Sequence, residues 1–353
     1  MGLDQSVLYA LNDKMARMKK LKILVFEYIT GGGLNKSELP GSLASEGLLM
    51  LQSLVDDLVR VESVHLLIML DLRMVDRFIA GFADVHIIKA ENDCRQEFIR
   101  LMSSCDAVWP IAPESDAILQ SLCEEVERSG KILLASVASA VALAGDKWLT
   151  YECLKEYSIA TVPTQKLSDF CFSSGEWLIK PVDGVGCTDS YVVAGQQDFD
   201  ATTALLDKDK YLVQPHIQGD KTSLSCLFKQ GQGWLLCANK QHFKLTDKQY
   251  HLAGITVNCT PETAKYHGLV NQIARAMPGL WGYVGIDLIE TADQILVLEI
   301  NPRLTTSSVG IHEALGINCA RAVLELLTGD PVLQPTHNRA VNIKINGQES
   351  HAS

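Results

Sequence analysis

None of the ten cysteines stands in a CxxC pair; they are scattered from Cys94 to Cys319. Without clustered spacing there is no basis for a zinc site or a disulfide framework, and thiols in apolar runs behave as small hydrophobes. Reduced thiols point to the cytoplasm. No apolar run reaches the ~18 residues of a membrane span, and the first twenty residues, with acids at Asp4 and Asp13, lack a signal-peptide core. Basic residues are outnumbered, 31 Lys and Arg against 42 Asp and Glu, for a net charge of −11. That deficit argues against salt-driven binding to nucleic acid or an anionic membrane. A small anion needs only a few well-placed cations. Two nucleotide-loop signatures are also missing. Gly31-Gly32-Gly33 lacks GxGxxG spacing, which weighs against a dinucleotide enzyme, and no GxxxxGK followed by Ser or Thr occurs.

What remains is a globular chain of 353 residues, 47% hydrophobic and 21% charged, long enough for two or three domains. In the first third, apolar runs at 22–28, 65–70, 85–89, 107–110 and 132–135 alternate with helical patterns near 42–60, 94–104, 116–128 and 137–144. Strands separated by helix-length segments predict a parallel, doubly wound α/β sheet. Its strand ends, where such sheets gather ligands, carry Glu27 to Gly33, Asp71 to Arg73 and Ala112 to Glu114. From about Gly145 the pattern becomes α+β. A helix at 147–157 precedes strands at 177–180, 190–194, 211–215, 223–229 and 234–244. A long helix at 261–277, strands at 283–290 and 295–301, and a helix at 319–328 follow. Residues 1–17 read as an appendage, and 341–345 as one weak strand before a polar end.

The strongest chemistry lies in Gly285-Ile286-Asp287-Leu288 and Leu298-Glu299-Ile300-Asn301-Pro302-Arg303. A three-residue turn at 292–294 predicts a hairpin with Asp287 opposite Glu299, and a period of two groups Val297, Glu299 and Asn301 on one face. Two carboxylates and an amide oxygen so close repel unless a cation lies between them. An all-oxygen set suits Mg²⁺ or Mn²⁺, completed by water and phosphate. For Asp287 alone, a solvated polar strand face explains as much.

Lys180 ends an apolar strand before Pro181-Val182-Asp183-Gly184-Val185-Gly186, whose glycines let backbone N–H groups approach an anion. Asp183-Gly184 would equally serve as a plain hairpin turn. Asp146 is a suitable N-cap for a helix whose first residue, Lys147, opposes the dipole unless an anion shares the site. A solvated surface lysine is the ordinary alternative. Leu212-Val213-Gln214-Pro215-His216-Ile217 is an apolar strand running into a turn, with Pro215 suited to an edge or linker.

Together these four segments resemble the ATP-grasp superfamily, with spacings of 33 residues from Lys147 to Lys180, 34 to Gln214, and 12 from Asp287 to Glu299. The resemblance covers about 145–330 and implies a pre-ATP-grasp domain at 18–144, a small lobe at 145–213, a large lobe at 214–333 and a tail at 334–353. It implies that Lys147 and Lys180 hold ATP phosphates beneath a loop containing Gly184 and Gly186. Gln214, His216 and Ile217 match the adenine-binding hinge, and Asp287, Glu299 and Asn301 the Mg²⁺ (or Mn²⁺) ligands. Arg303, with Lys180, takes the implied catalytic role at the transferring phosphoryl group. The hinge departs from the family pattern, since neither Gln214 nor Pro215 is acidic. An acid expected to bind ribose would fall at Asp220 or Lys221.

Within the superfamily, the run from Ile23 to Gly33 (ILVFEYITGGG), Ala112-Pro113-Glu114 and Asn239-Lys240-Gln241 resemble the tyramine–glutamate ligase family, which serves synthesis of methanofuran-type C1 carriers. The implied reaction joins a carboxylate to an amine through an acyl phosphate, releasing ADP. Glu27, Thr30, Arg73 and Glu114, at the strand ends, are expected to contact the small-molecule acid or amine. The alternatives are another ATP-grasp ligase, of amino-acid, peptide or carbamoyl-phosphate type, and an ATP sensor without turnover. A complete set of lysines, metal ligands and arginine favours catalysis. No nucleic-acid or membrane partner is expected, and a homodimer is left open.

Overall fold

The computed structural model describes residues 20–184 and 189–345. The expected appendage at 1–17, Gly186 and the polar end from 346 lie outside them. The first sheet holds five parallel strands, β1 (Leu21–Glu27), β2 (Val64–Asp71), β3 (Asp84–Ile88), β4 (Ala107–Ile111) and β5 (Ile132–Leu133), in the order β3-β2-β1-β4-β5. Both faces are covered, so the central strand carries an unbroken apolar run from Ile23 to Phe26. Ile23 and Val25 pack on the side of helix Gly41–Leu58, whereas Leu24 and Phe26 meet Phe98, Leu101 and Met102 of helix Cys94–Ser103. Gly32 explains part of the glycine run after β1: its φ is +100°, and a Cβ there would stand 2.5 Å from Ile88.

A small antiparallel sheet follows, built from β6 (Gln165–Lys166), β7 (Glu176–Pro181), β8 (Tyr191–Ala194) and β9 (Tyr211–Pro215) in the order β6-β9-β7-β8. The third sheet holds β10 (Asp220–Lys229), β11 (Gln232–Thr246), β12 (Gln249–Val257), β13 (Gly282–Glu290), β14 (Ile295–Asn301) and β15 (Val341–Lys344), ordered β14-β13-β10-β11-β12-β15. Helix Ala264–Ala276 buries Tyr266, Val270 and Ile273 against Ile286, Leu288, Val297 and Ile300 of this sheet. Alternation along β13 therefore turns Asp287 to the opposite face, toward the small sheet.

The β13–β14 hairpin differs from expectation in a way that matters. Its turn has four residues, since Glu290 pairs with Ile295, and a bulge at Leu298 returns Asp287 to its place opposite Glu299. Two residues facing one break the period of two. Val297 joins the core with Ile300, while Leu298 and Glu299 both border the cleft, so the predicted grouping of Val297 with Glu299 and Asn301 is incorrect. Strand β12 was not expected at all. It pairs with β11 across the two-residue turn Asp247-Lys248, where φ is 50° and 66°. That backbone favours Asn-Gly, and Asp-Lys carries no such signal. The weak C-terminal strand is the edge of this sheet, pairing with β12.

Candidate active site

Between the small and large sheets lies a narrow cavity of about 90 Å³, with Val162, Leu178, Phe243, Ile289 and Leu298 among its apolar walls and Lys147, Lys180 and Glu299 among its charged ones. Lys180 reaches it from the end of β7 and is 3% exposed, so its ammonium needs a partner. Its Nζ stands 3.2 Å from Glu299 Oε1, and Lys147 Nζ stands 3.8 Å from the same oxygen. Lys147 opens helix Lys147–Glu156, where Asp146 Oδ1 accepts from Trp148 N and Leu149 N at 2.8 and 2.9 Å as the expected N-cap. Its Nζ also donates to the carbonyl of Gly184, tying the helix start to the chain after β7. Desolvation raises Glu299, but Lys147, Lys180 and Arg303 together hold its carboxyl below the usual range.

The hinge residues border the same cavity. Gln214, on β9, donates from Nε2 to Thr164 Oγ1 at 2.8 Å, while its buried Oε1 has no partner among the described residues. His216 is committed at both ring nitrogens, to Glu176 at 2.9 Å and to the Tyr250 hydroxyl at 2.7 Å. Ile217 and Lys221 line the cavity. Asp220 instead pairs with Lys240 at 3.0 Å on the surface, so the residue of that pair at the cavity is a lysine rather than an acid.

A second cavity, of about 320 Å³, opens between the C-terminal ends of the parallel strands and the large sheet. Glu27, Glu46, Asp287 and Arg303 are its charged lining residues, set among Leu34, Leu43, Met50, Leu252 and Ile255. Asp287 and Gln241 line both cavities. Asp287 accepts from Gln241 Nε2 at 3.1 Å and from Asn301 Nδ2 at 3.2 Å. Desolvation, then the charge of Glu299, push its carboxyl up to about 7. Arg303 pulls the other way without offsetting this, and a divalent ion beside Asp287, Glu299 and Asn301 would supply the further positive charge. Among the described residues no three His, Cys, Asp or Glu side chains cluster as a closed cage. Two carboxylates and an amide instead fit a hard cation that shares its shell with phosphate.

Arg303 Nη2 donates to Glu114 Oε2 at 2.9 Å, joining the loop after β14 to the loop after β4. Arg303 Nε and Glu114 Oε1 are buried and have no partner among the described residues, so the pair meets at one point rather than as a fork.

Three expected substrate contacts do not line the cavity: Glu114, held by Arg303, and Arg73 and Thr30. Arg73 forks onto Asp71 at 2.7 and 2.9 Å and donates to the carbonyls of Leu34 and Ser37, so it fastens a loop. Thr30 is fully buried and gives its hydroxyl to Glu27 at 2.5 Å, acting through that carboxylate. Glu27 does line the cavity, also accepting from Thr30 N at 2.7 Å and Ile29 N at 3.3 Å, and burial raises its carboxyl. Glu46 was missed. Leu43, Glu46, Gly47 and Met50 follow i, i+3, i+4, i+7 spacing on one helix face, and a carboxylate within that apolar stripe was the available signal.

Comparison with known proteins agrees with this geometry. A pre-ATP-grasp domain model matches residues 64–141, and an ATP-grasp domain model matches residues 144–307. The chain is 26% identical over 332 residues to the tyramine–L-glutamate ligase of Methanocaldococcus fervens, covering 93% of this chain and 98% of that one. An ATP-grasp superfamily protein from Archaeoglobus fulgidus superposes with a TM-score of 0.69 at 24% identity, over 92% of each chain. The biotin carboxylase domain of Hydrogenobacter thermophilus 2-oxoglutarate carboxylase, solved with MgADP and bicarbonate, gives 0.65 at 14% identity, over 92% of this chain and 72% of that one. The cleft between two antiparallel sheets and these matches show that the chain belongs to the ATP-grasp superfamily, a pre-ATP-grasp domain joined to an ATP-grasp domain in an ATP-dependent carboxylate–amine ligase.

Proposed function

We propose that this chain joins L-glutamate to tyramine or a related primary amine, using ATP and releasing ADP and phosphate, as a step toward a methanofuran-type C1 carrier. One observation carries the reading: the two cavities meet at Asp287 and Gln241. A nucleotide in the narrow cavity and an acid in the wide one would touch there, and nowhere else on their shared walls. The 26% identity to a tyramine–L-glutamate ligase across nearly the whole chain supports the choice of substrates.

In this reading Lys147 and Lys180 are the cations for the phosphates, with Gly184, whose carbonyl accepts from Lys147, beside them. The unpartnered Gln214 Oε1 accepts from the adenine amino group, with His216 and Ile217 beside it. Asp287, Glu299 and Asn301 would hold Mg²⁺ or Mn²⁺, which supplies neutralisation of phosphate charge. A carboxylate oxygen of the acid attacks the γ-phosphorus, the bond to the β–γ bridging oxygen breaks, and ADP leaves. Arg303, with an uncommitted Nε–H, steadies the oxygens of the transferring phosphoryl group. The amine then displaces phosphate from the acyl carbon, and the apolar walls of the wide cavity would limit water at the acyl phosphate.

Incubation with ATP, Mg²⁺, tyramine and glutamate labelled with ¹⁸O in its carboxylates tests the route. Transfer of one labelled oxygen to inorganic phosphate, together with amide formation, is the expected result. Tight MgATP binding with no stimulation of ADP release by any acid–amine pair would turn the reading to an ATP sensor.

A further inference from the structure

The wide cavity is acidic in a particular manner. Its charged walls are the carboxylates of Glu27, Glu46 and Asp287 and the guanidinium of Arg303, which is already paired with Glu114. Asp287 belongs to the junction with the nucleotide cavity. Glu27 is held by the backbone N–H groups of Ile29 and Thr30 and by the Thr30 hydroxyl. It is also walled in by Gly47, where a Cβ would stand 2.6 Å from Glu27 Oε2. Glu46 differs. It is half-buried, projects from the apolar stripe of Leu43 and Met50, and takes one hydrogen bond, from Thr306 Oγ1 at 3.0 Å. Leu34, Leu252 and Ile255 complete an apolar surround. A carboxylate in an apolar-walled cavity complements a primary ammonium on an apolar body, and repels a second carboxylate.

We infer that Glu46 receives the ammonium group of the amine substrate and takes its proton. The inference rests on the ligase reading and adds to it the half of the wide cavity that the amine occupies. Transfer of one ammonium proton to Glu46 frees the nitrogen lone pair. Attack then forms the N–C bond and breaks the bond between the acyl carbon and the phosphate oxygen. The second N–H proton leaves with the departing phosphate as hydrogen phosphate. Desolvation raises the Glu46 carboxyl against the opposing pull of Thr306 and Arg303, which improves it as a proton acceptor. Arg303 and Glu27 are the other charged groups facing it from the neighbouring loop and strand.

Steady-state kinetics of the full chain with Glu46→Gln, and with 4-ethylphenol as an inhibitor that keeps the body of tyramine but has no ammonium, test the assignment. Loss of a charge-assisted contact is expected to raise KM for tyramine about tenfold or more. KM for ATP and for glutamate, and inhibition by 4-ethylphenol, are expected to move far less. Glu46→Asp, one methylene shorter, is expected to recover part of the tyramine affinity, and it carries the test should Glu46→Gln not fold. An unchanged KM for tyramine, or an equal loss of 4-ethylphenol inhibition, overturns the assignment. No amine-stimulated ADP release by the wild-type chain would instead sink the ligase reading. Calorimetric binding of tyramine to wild type and Glu46→Gln would then decide Glu46 without turnover, equal affinities counting against it.

Discussion

Lys180 Nζ lies 3.2 Å from Glu299 Oε1, a contact that joins β7 of the small sheet to β14 of the large one. Lys147 shares the same oxygen at 3.8 Å. One carboxylate thus gathers two cations that would otherwise repel each other inside a narrow cavity. In the proposed reading the charges that would meet the phosphates are already gathered around Glu299, and a bound nucleotide would offer them a second set of anions.

Glu299→Gln removes the carboxylate that the two lysines share. Removing one member of a buried pair costs about 3 kcal/mol or more, so urea unfolding without nucleotide is expected to shift by that order. MgATP is expected to restore part of the loss. Lys180→Met removes a charge rather than stranding one, and ADP release is expected to fall at least about 100-fold in kcat/KM.

Asp287 gives a pH signature. Its folded carboxyl sits at about 7, above the ordinary 3.8. The folded chain therefore holds this proton more tightly than the unfolded chain between those values, and stability declines as pH rises through that window. Asp287→Asn removes the decline while abolishing activity. The melting temperature of the variant relative to wild type, measured without nucleotide, is expected to climb from pH 5 to pH 8. A constant difference would contradict the origin given for the shift.

The Arg303–Glu114 pair can be tested by a double-mutant cycle. Their side chains are 14% and 5% exposed, so Glu114→Gln strands a buried guanidinium and is expected to cost about 3–5 kcal/mol. Arg303→Met with Glu114→Gln is expected to cost less than the sum of the two single changes. Additive losses would mean that the residues do not sense each other. Arg303→Lys keeps the charge but loses the Nε donor. It is expected to lower kcat about 100-fold while leaving the MgATP dissociation constant nearly unchanged.

Gly47→Ala sets two effects against each other. Alanine favours a helix by about 1 kcal/mol, but its methyl group would press on the Glu27 carboxylate, and overpacking costs about 1–3 kcal/mol. Because Thr30 and Ile29 fix that carboxylate, we expect a net loss of about 1 kcal/mol in chemical denaturation. A stabilised variant would show that Glu27 can move aside.

Much of this was legible because local rules and tertiary demands coincide. The N-cap at Asp146 and the apolar approach to Lys180 follow from spacing and residue type, whereas Asp287 and Glu299 pair through a four-residue turn and a bulge rather than the three-residue turn expected. The α/β and α+β divisions also follow from the order of apolar runs. The misses have physical causes. Asp247-Lys248 adopts a turn that its side chains do not advertise, so β12 stayed hidden. Arg73 stands at a strand end like a ligand-binding residue, yet Asp71, two positions away, captures it. Glu46 lies in a stripe that reads as core until the cavity beneath it is seen.

The extra residue at Leu298 makes the hairpin's tolerance to length change uneven. At the turn of 291–294, a residue added or removed can be absorbed, because nothing downstream depends on it. Upstream of Glu299 the requirement is one of parity. Deleting Leu298 would meet that requirement by removing the bulge: Glu299 stays opposite Asp287, Asn301 stays on the same face, and Ile300 stays under helix Ala264–Ala276, while the cleft loses the apolar wall that Leu298 provides. Insertions and deletions accepted by active descendants of this chain should therefore collect at the turn and at Leu298, a strand position whose loss leaves odd and even in step.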